Sequence, residues 1–283
     1  MAVPGVLWLA CLAVALIAMA SFALHRRRCV RQARAKIRHD LLADRAGGRV
    51  QASIPQTLPE PVRRYFARVL PAHGLLPAVT RIRQRGTLRS SCSSARWLDF
   101  TAEQVIAARS TGFQWLARVG IGAGLSFEVC DRFVANEAAS EVRLFSLFVL
   151  GADRGSRELD EAALQRFLAE AVWSPAALLP AAGVSWQAID ESSATATLSC
   201  GAHRVSLQFR FNAEGEATHV YTPARWMRER GRYRALAWEG RYFDYAWCEG
   251  VRVPLRAEVG WYVDEAWCPV WKGRIEHIEQ LPA

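Results

Sequence analysis

RELDEAALQRFLAEAVWSPAALLP, residues 157–180, is the stretch on which the fold turns. Leu164, Phe167, Leu168 and Ala171 recur at i, i+3, i+4 and i+7, which places apolar groups along one face of an α-helix. Asp160 stands where an N-cap is needed, and Leu159 and Leu164 have the spacing of a hydrophobic staple. Pro175 ends the helix because its ring clashes with the turn before it. Ser174-Pro175 then opens a second short turn through Leu179. The block is helical inside a region that otherwise reads as strands. A sheet with one apolar face must bury that face against something, so this helix is expected to act as its lid.

On either side of the helix the period is two. Residues 193–200 set Ala194, Ala196, Leu198 and Cys200 against Ser193, Thr195, Thr197 and Ser199, and a turn at Gly201-Ala202 leads into 203–211. There Val205, Leu207, Phe209 and Phe211 alternate with polar residues. Residues 251–261 alternate in the same way, with Pro254 suited to an edge or bulge. Further strands are predicted near 81–89, 96–107, 111–119, 126–135 and 140–149. The fold class is therefore mostly β: about ten antiparallel strands in a large sheet that must curve into a half-barrel around a helix. The domains are predicted as an anchor over 1–24, a basic juxtamembrane helix and linker over 25–56, and one β domain over 57–283. Pro59 and Pro61 open a short helix in that domain, striped by Val62, Tyr65, Phe66 and Val69.

Pro4 to Leu24 is an uncharged run of 21 residues. At about 1.5 Å per residue it matches the roughly 30 Å hydrocarbon core of a bilayer. A cleaved signal peptide is the rival reading, but nothing basic precedes the apolar run apart from the α-amino group. The formal net charge is +9, and residues 26–38 hold +7 of it, leaving +2 for the rest. The excess positive charge thus belongs to the membrane flank, and a nucleic-acid partner is not expected. Basic residues directly after a span predict that this side is cytoplasmic. The expected location is the bacterial inner membrane, single-pass, with the domain cytoplasmic; a periplasmic domain is the alternative.

Chemical signatures are few. The chain contains no G-x-S-x-G, H-E-x-x-H, P-loop or C-x-x-C, so no common hydrolase, metal or nucleotide motif is present, and no cofactor is expected. The Gly120–Gly124 run is followed by a strand rather than a helix and is not a dinucleotide loop. Seven widely spaced cysteines suggest neither a metal site nor a disulfide framework, and reduced thiols suit a cytoplasmic domain. Arg81, Arg83, Arg85 and Arg89 form a stripe on one strand face. It can hold phosphate groups or, as the plainer reading, pair with Asp99 and Glu103 on the next strand. Arg225, Arg228, Arg230, Arg232 and Arg234, interleaved with Trp226 and Tyr233, are read as a strand end and loop near the mouth of the sheet, facing an anionic headgroup.

PEPVRRYF (59–66), RFLAEAVWSPAALLP (166–180) with Val184-Ser185-Trp186 after it, and GVRVP, EVGW and VWKGRIEHI between 250 and 278 resemble an uncharacterised bacterial membrane-anchored family of unknown function. The resemblance runs from about residue 57 to the C-terminus. The order of elements is also similar to the half-barrels of the LolA and LolB lipoprotein carriers. That likeness implies a curved sheet wrapped on a helix and holding acyl chains. Such carriers work outside the inner membrane, whereas the basic flank here points inward.

Three functions remain open. In the first, the concave face binds a lipid or other hydrophobic ligand. Its walls would be Trp115, Trp173, Trp186, Phe209 and Trp238, with Arg166 and Arg225 at the polar end. In the second, Glu170, an acid beside Trp173, serves as general acid or base on a lipid-like substrate; the plainer reading of Glu170 is a helix pair with Arg166. In the third, the sheet interior is packed solid and the protein is structural.

Overall fold

The structure is a computed structural model. It describes residues 3–43, 54–71 and 76–282, of which 3–13, 15 and 282 are described in their backbone alone. The chain runs through α1 (Val3–Leu42) and α2 (Glu60–Val69). A first set of strands follows: β1 (Pro77–Leu88), β2 (Leu98–Ala107), β3 (Gly112–Gly122), β4 (Leu125–Val134), β5 (Glu137–Leu144) and β6 (Phe148–Arg154). After α3 (Arg157–Glu170) and three short 3₁₀ turns come β7 (Val184–Asp190), β8 (Ser193–Cys200), β9 (His203–Phe211), β10 (Ala217–Glu229), β11 (Arg232–Cys248), β12 (Val251–Val263) and β13 (Ala266–Pro282).

Among the described residues the thirteen strands make one antiparallel sheet in the order β6-β5-β4-β3-β2-β1-β13-β12-β11-β10-β9-β8-β7. Each half of the chain is a meander. The halves join where β1 pairs with β13, so β6 and β7 are the two outer edges. α3 is the connection between those edges, and it must cross the concavity to make it. The half-barrel expected from the alternating pattern is what forms. The stretch 140–149 is two strands rather than one, because Phe145 and Ser146 take left-handed φ values of 54° and 59° and reverse the chain. At Gly86 a Cβ would fall 1.9 Å from the Lys272 carbonyl, so the seam between β1 and β13 requires a residue without a side chain there.

α3 is a plug rather than a lid. Ala162, Leu164, Gln165, Phe167, Leu168 and Ala169 are all buried, on more than the single face the spacing predicted. The helix is capped by Ser156, whose Oγ accepts from the Leu159 amide at 3.3 Å, and not by Asp160. Asp160 holds the two arms of the sheet instead. Its Oδ1 accepts from the Ala138 amide on β5 at 2.6 Å, and its Oδ2 faces His203 Nε2 on β9 at 3.5 Å. α2 packs Tyr65 and Phe66 into an aromatic cluster with Trp186, Phe209 and Phe211.

α1 is a single helix in which the expected anchor runs unbroken into the expected basic segment. Its C-terminal half lies on the outer face of the sheet. Leu41 is buried with Ala78, Val79, Val105 and Ala107. Arg34 pairs with Glu128 at 2.5 Å, and Arg38 pairs with Glu103 at 2.8 Å. Burial acts to raise the Glu128 carboxyl, but hydrogen bonds from Arg34 and Ser146 outweigh it and hold the group below the usual carboxylate range. Among the described residues no helix is long and apolar enough to cross a membrane. Much of the apolar run predicted as a transmembrane helix, together with residues 44–53 of the linker, lies outside the side chains described.

Two arginines of the β1 stripe are paired with carboxylates, and neither of them with the acids expected, Asp99 and Glu103. Arg81 meets Glu279 at 2.9 Å and Arg85 meets Glu276 at 3.1 Å, both on β13. Glu103 is taken by Arg38 of α1. One cysteine reading is overturned: Cys92, in the loop after β1, and Cys268 on β13 form a disulfide across 176 residues of sequence. The β1–β13 seam brings these two positions together, and spacing along the chain does not reveal that.

Candidate functional site in the concavity

The concave face carries a polar network around the C-terminal half of α3. Arg166 donates from Nε to Glu170 Oε1 at 2.8 Å and from Nη1 to Asp131 Oδ2 on β4 at 2.7 Å. Its guanidinium lies over Phe113 and Trp115, 5.1 and 5.0 Å from the ring centroids. Gln104 donates to the second Glu170 oxygen at 2.5 Å, Gln84 donates to Gln104 at 2.8 Å, and Trp115 Nε1 donates to Gln84 at 3.1 Å. Burial works against the Arg166 charge, but Glu170 and Asp131 outweigh it and raise its pKa. Both Glu170 oxygens are occupied, so the Arg166–Glu170 helix pair is present and is extended by Asp131 and Gln104.

Arg225 faces the same space from β10, at a register shift between Thr222 and Arg225 that contains Pro223. Its guanidinium is sandwiched by Trp238 and Trp261, with centroids at 4.9 and 5.3 Å. Nη2 donates to the Ala162 carbonyl at 3.1 Å, while Nε is buried without a hydrogen-bond partner. Burial, reinforced by the neighbouring Arg166 charge, pushes this guanidinium down to about 10. Two arginines therefore point into one concavity. Arg166 is matched by two carboxylates, and Arg225 is held by two indole faces and a single carbonyl.

Beyond the network the concave face is apolar and only partly covered. The register places Ala102, Ala117, Val129 and Val142 in one inward row, and Phe100, Val119, Phe127 and Leu144 in the next. Phe127, Val129, Val259 and Trp271 are half-buried against the core. The Trp271 ring lies over Gly273 and stacks on Phe100 at 5.6 Å. This half-covered surface adjoins Asp131 and Arg166 through Val129, two residues along β4, and adjoins the Arg225 sandwich through Val259, two residues before Trp261.

Of the residues singled out in the sequence, the structure brings Trp115, Arg166, Glu170, Arg225 and Trp238 together. Trp173 is close by but serves the core: its Nε1 donates to the Pro254 carbonyl at 2.9 Å, and its ring meets Tyr242 edge-on. Trp186 and Phe209 sit apart, in the cluster under α2. Trp115, Trp173, Phe209 and Trp238 are buried. The three tryptophans form the floor and the packing beneath α3 rather than an open wall, and Phe209 packs in the cluster under α2. Asp131, Gln84, Gln104 and Trp261 were not found from the sequence. The parity of Asp131 within 125–134 was the available signal, and α1 masks it by covering the opposite face. Cavities of about 300, 320 and 240 Å³ lie on the outer face beside α1 and the β1 stripe, and another of about 400 Å³ lies near Trp226. Gln104 lines part of the first and Gln84 part of the second, while Arg166, Glu170, Asp131 and Arg225 line none of the four.

Fold and site together define a helix-plugged antiparallel half-barrel with an amphipathic concavity. The chain belongs to DUF6920, a family of unknown function, whose pattern matches residues 56–279. It is also similar in fold to the crystal structure of a LolA superfamily protein, NE2245 from Nitrosomonas europaea. That match has a TM-score of 0.40 and 10% identity, and covers 79% of this chain and 92% of the other. No curated protein matches the sequence.

Proposed function

We propose that this protein is tethered to a bacterial inner membrane by residues 4–24 and binds an amphiphile, a lipid or other hydrophobic molecule, in the part of the concave face that α3 leaves uncovered. The observation that carries this reading is the pairing of half-buried apolar residues, Phe127, Val129, Val259 and Trp271, with an arginine whose Nε is buried and unpartnered. Buried charged groups without partners are costly, so a site that keeps one is suited to receive an acceptor. Acyl carbons would lie along the apolar rows, and a carboxylate or phosphate would meet Arg225.

The tether is supported by the uncharged 21-residue run and by its continuity with the helix that grips the domain. Two features bear on the side of the membrane, with opposite sign. The basic flank favours the cytoplasm, and the Cys92–Cys268 disulfide favours an oxidising compartment. We place the domain on the oxidising, periplasmic side, because cytoplasmic reductants keep such pairs open.

Arg225→Gln in the full chain held in amphipol tests the ligand reading, with cis-parinaric acid as the probe. A charge-assisted hydrogen bond is worth about 1.5–3 kcal/mol. The Kd for the acid should therefore rise about ten- to a hundredfold, while the Kd for its methyl ester stays within a factor of about three. Equal loss for acid and ester, or no binding by the parent chain, rejects Arg225 as the headgroup partner.

A further inference from the structure

We infer that the β5–β6 hairpin and the neighbouring β3–β4 turn dock into the surface of an anionic phospholipid bilayer, so that the rim of the concavity opens directly to the membrane. This rests on the tether proposed above. Phe145, Phe148, Val149 and Leu150 are 45, 63, 47 and 59% exposed, and Leu125 of the adjacent turn is 46% exposed. Five large apolar side chains on two neighbouring hairpin tips make a patch that water disfavours and that monomeric proteins seldom keep without a use.

The geometry of α1 says what covers it. Arg27 Nε donates to the Phe145 carbonyl at 3.1 Å. Arg34 and Ser146 both bind Glu128, which clamps the β5–β6 turn to the helix a second time. Arg27 is three residues past Leu24, the end of the apolar run, and three residues advance a helix by about 4.5 Å. With the apolar run in the hydrocarbon, Phe145 and its neighbours are therefore held at headgroup depth. Arg26, Arg28 and Arg31 are exposed on the same stretch of α1. Their charge complements anionic headgroups, at about 1 kcal/mol per residue near the surface.

The patch is also continuous with the site. Phe148 pairs with Leu144, and Leu144 with Phe127, and directly opposed residues in an antiparallel ladder share a face. Phe148 thus stands at the rim of the apolar row that Phe127 lines inside. An acyl chain leaving the leaflet beside Phe148 would pass to Phe127 and Val129 without crossing water.

The test uses the full chain in phosphatidylethanolamine/phosphatidylglycerol vesicles, with p-benzoylphenylalanine substituted singly for Phe148, Leu150, Ile189 or Trp247. Ile189 is on the opposite edge strand and Trp247 is near the β11–β12 turn; both are exposed. Photoadducts with phospholipid should form at 148 and 150 in at least tenfold higher yield than at 189 and 247. Yields equal at all four positions in chains that float with the vesicles overturn the docking surface and leave the tether standing. Failure of the parent chain to float overturns the tether, and the docking surface with it.

Discussion

Arg166→Leu is expected to destabilise the domain by about 3 kcal/mol, one of the two largest losses available from a single substitution. Removing one partner of a buried ion pair costs about 3–5 kcal/mol because the charge left behind has lost its compensation. Here two carboxylates, Glu170 and Asp131, are left behind. Their side chains are about a fifth exposed, at 18% and 23%, which puts the loss at the lower end. For a domain of this size each kcal/mol moves Tm by about 2–4 °C, so a fall of about 6–12 °C is expected in near-UV circular dichroism. Combining Arg166→Leu with Glu170→Leu and Asp131→Leu removes the orphaned charges and should recover most of that loss. An equal loss in the single and triple variants would mean that the network contributes packing alone.

Cys92→Ser is expected to cost more. The bridge closes 176 residues of sequence, and the chain-entropy relation for a loop of that length gives about 5 kcal/mol at 25 °C. Eleven of the thirteen strands, β2 to β12, lie inside the loop, so the unfolded chain gains much of its freedom when the bridge is lost. Cys92→Ser, Cys268→Ser, the double variant and the parent chain in dithiothreitol should therefore share one lowered urea midpoint. A single-cysteine variant as stable as the oxidised parent would show that the two sulfurs are not joined in the folded protein.

The sequence displays these two features very unequally. Periodicity was sufficient wherever one side of an element meets the core and the other meets water, as in 193–200, 203–211 and 251–261. It was sufficient for the existence of α3 as well. It failed where both faces are covered. β4 lies between α1 outside and α3 inside, so Glu128 and Asp131 each find an arginine, on opposite faces, and the strand does not alternate cleanly. α3 has the same difficulty: the sheet wraps it, and Gln165 and Asp160 are buried along with Leu164 and Phe167. Local signals at its N-terminus favoured Asp160 as the cap. Tertiary contacts gave Asp160 to Ala138 and His203 and left the capping to Ser156.

Pairings of high sequence separation were the least legible. Cys92 with Cys268, and Arg81 with Glu279, depend on the β1–β13 seam, which joins the start of the sheet to its end. A strand pairing closed by the whole domain leaves no spacing rule in the chain. The arginines show the contrast within the site itself. Arg166 and Glu170 are four apart on a helix and could be paired on that ground alone. Arg225 could be noted as one of a basic run, but its place between Trp238 and Trp261 follows from the bulge at Thr222–Arg225 and from the fold.

The uncovered concavity as an acyl site is tested most directly by photolabelling. The full chain in phosphatidylethanolamine/phosphatidylglycerol vesicles is irradiated with a diazirine-bearing palmitic acid and its peptides are sequenced by mass spectrometry. Adducts are expected on the peptides that hold Phe127, Val129, Val259 and Trp271, with excess palmitic acid suppressing them. At saturating probe, adducts confined to the outer face, or none on these four residues, would contradict a ligand in the half-barrel.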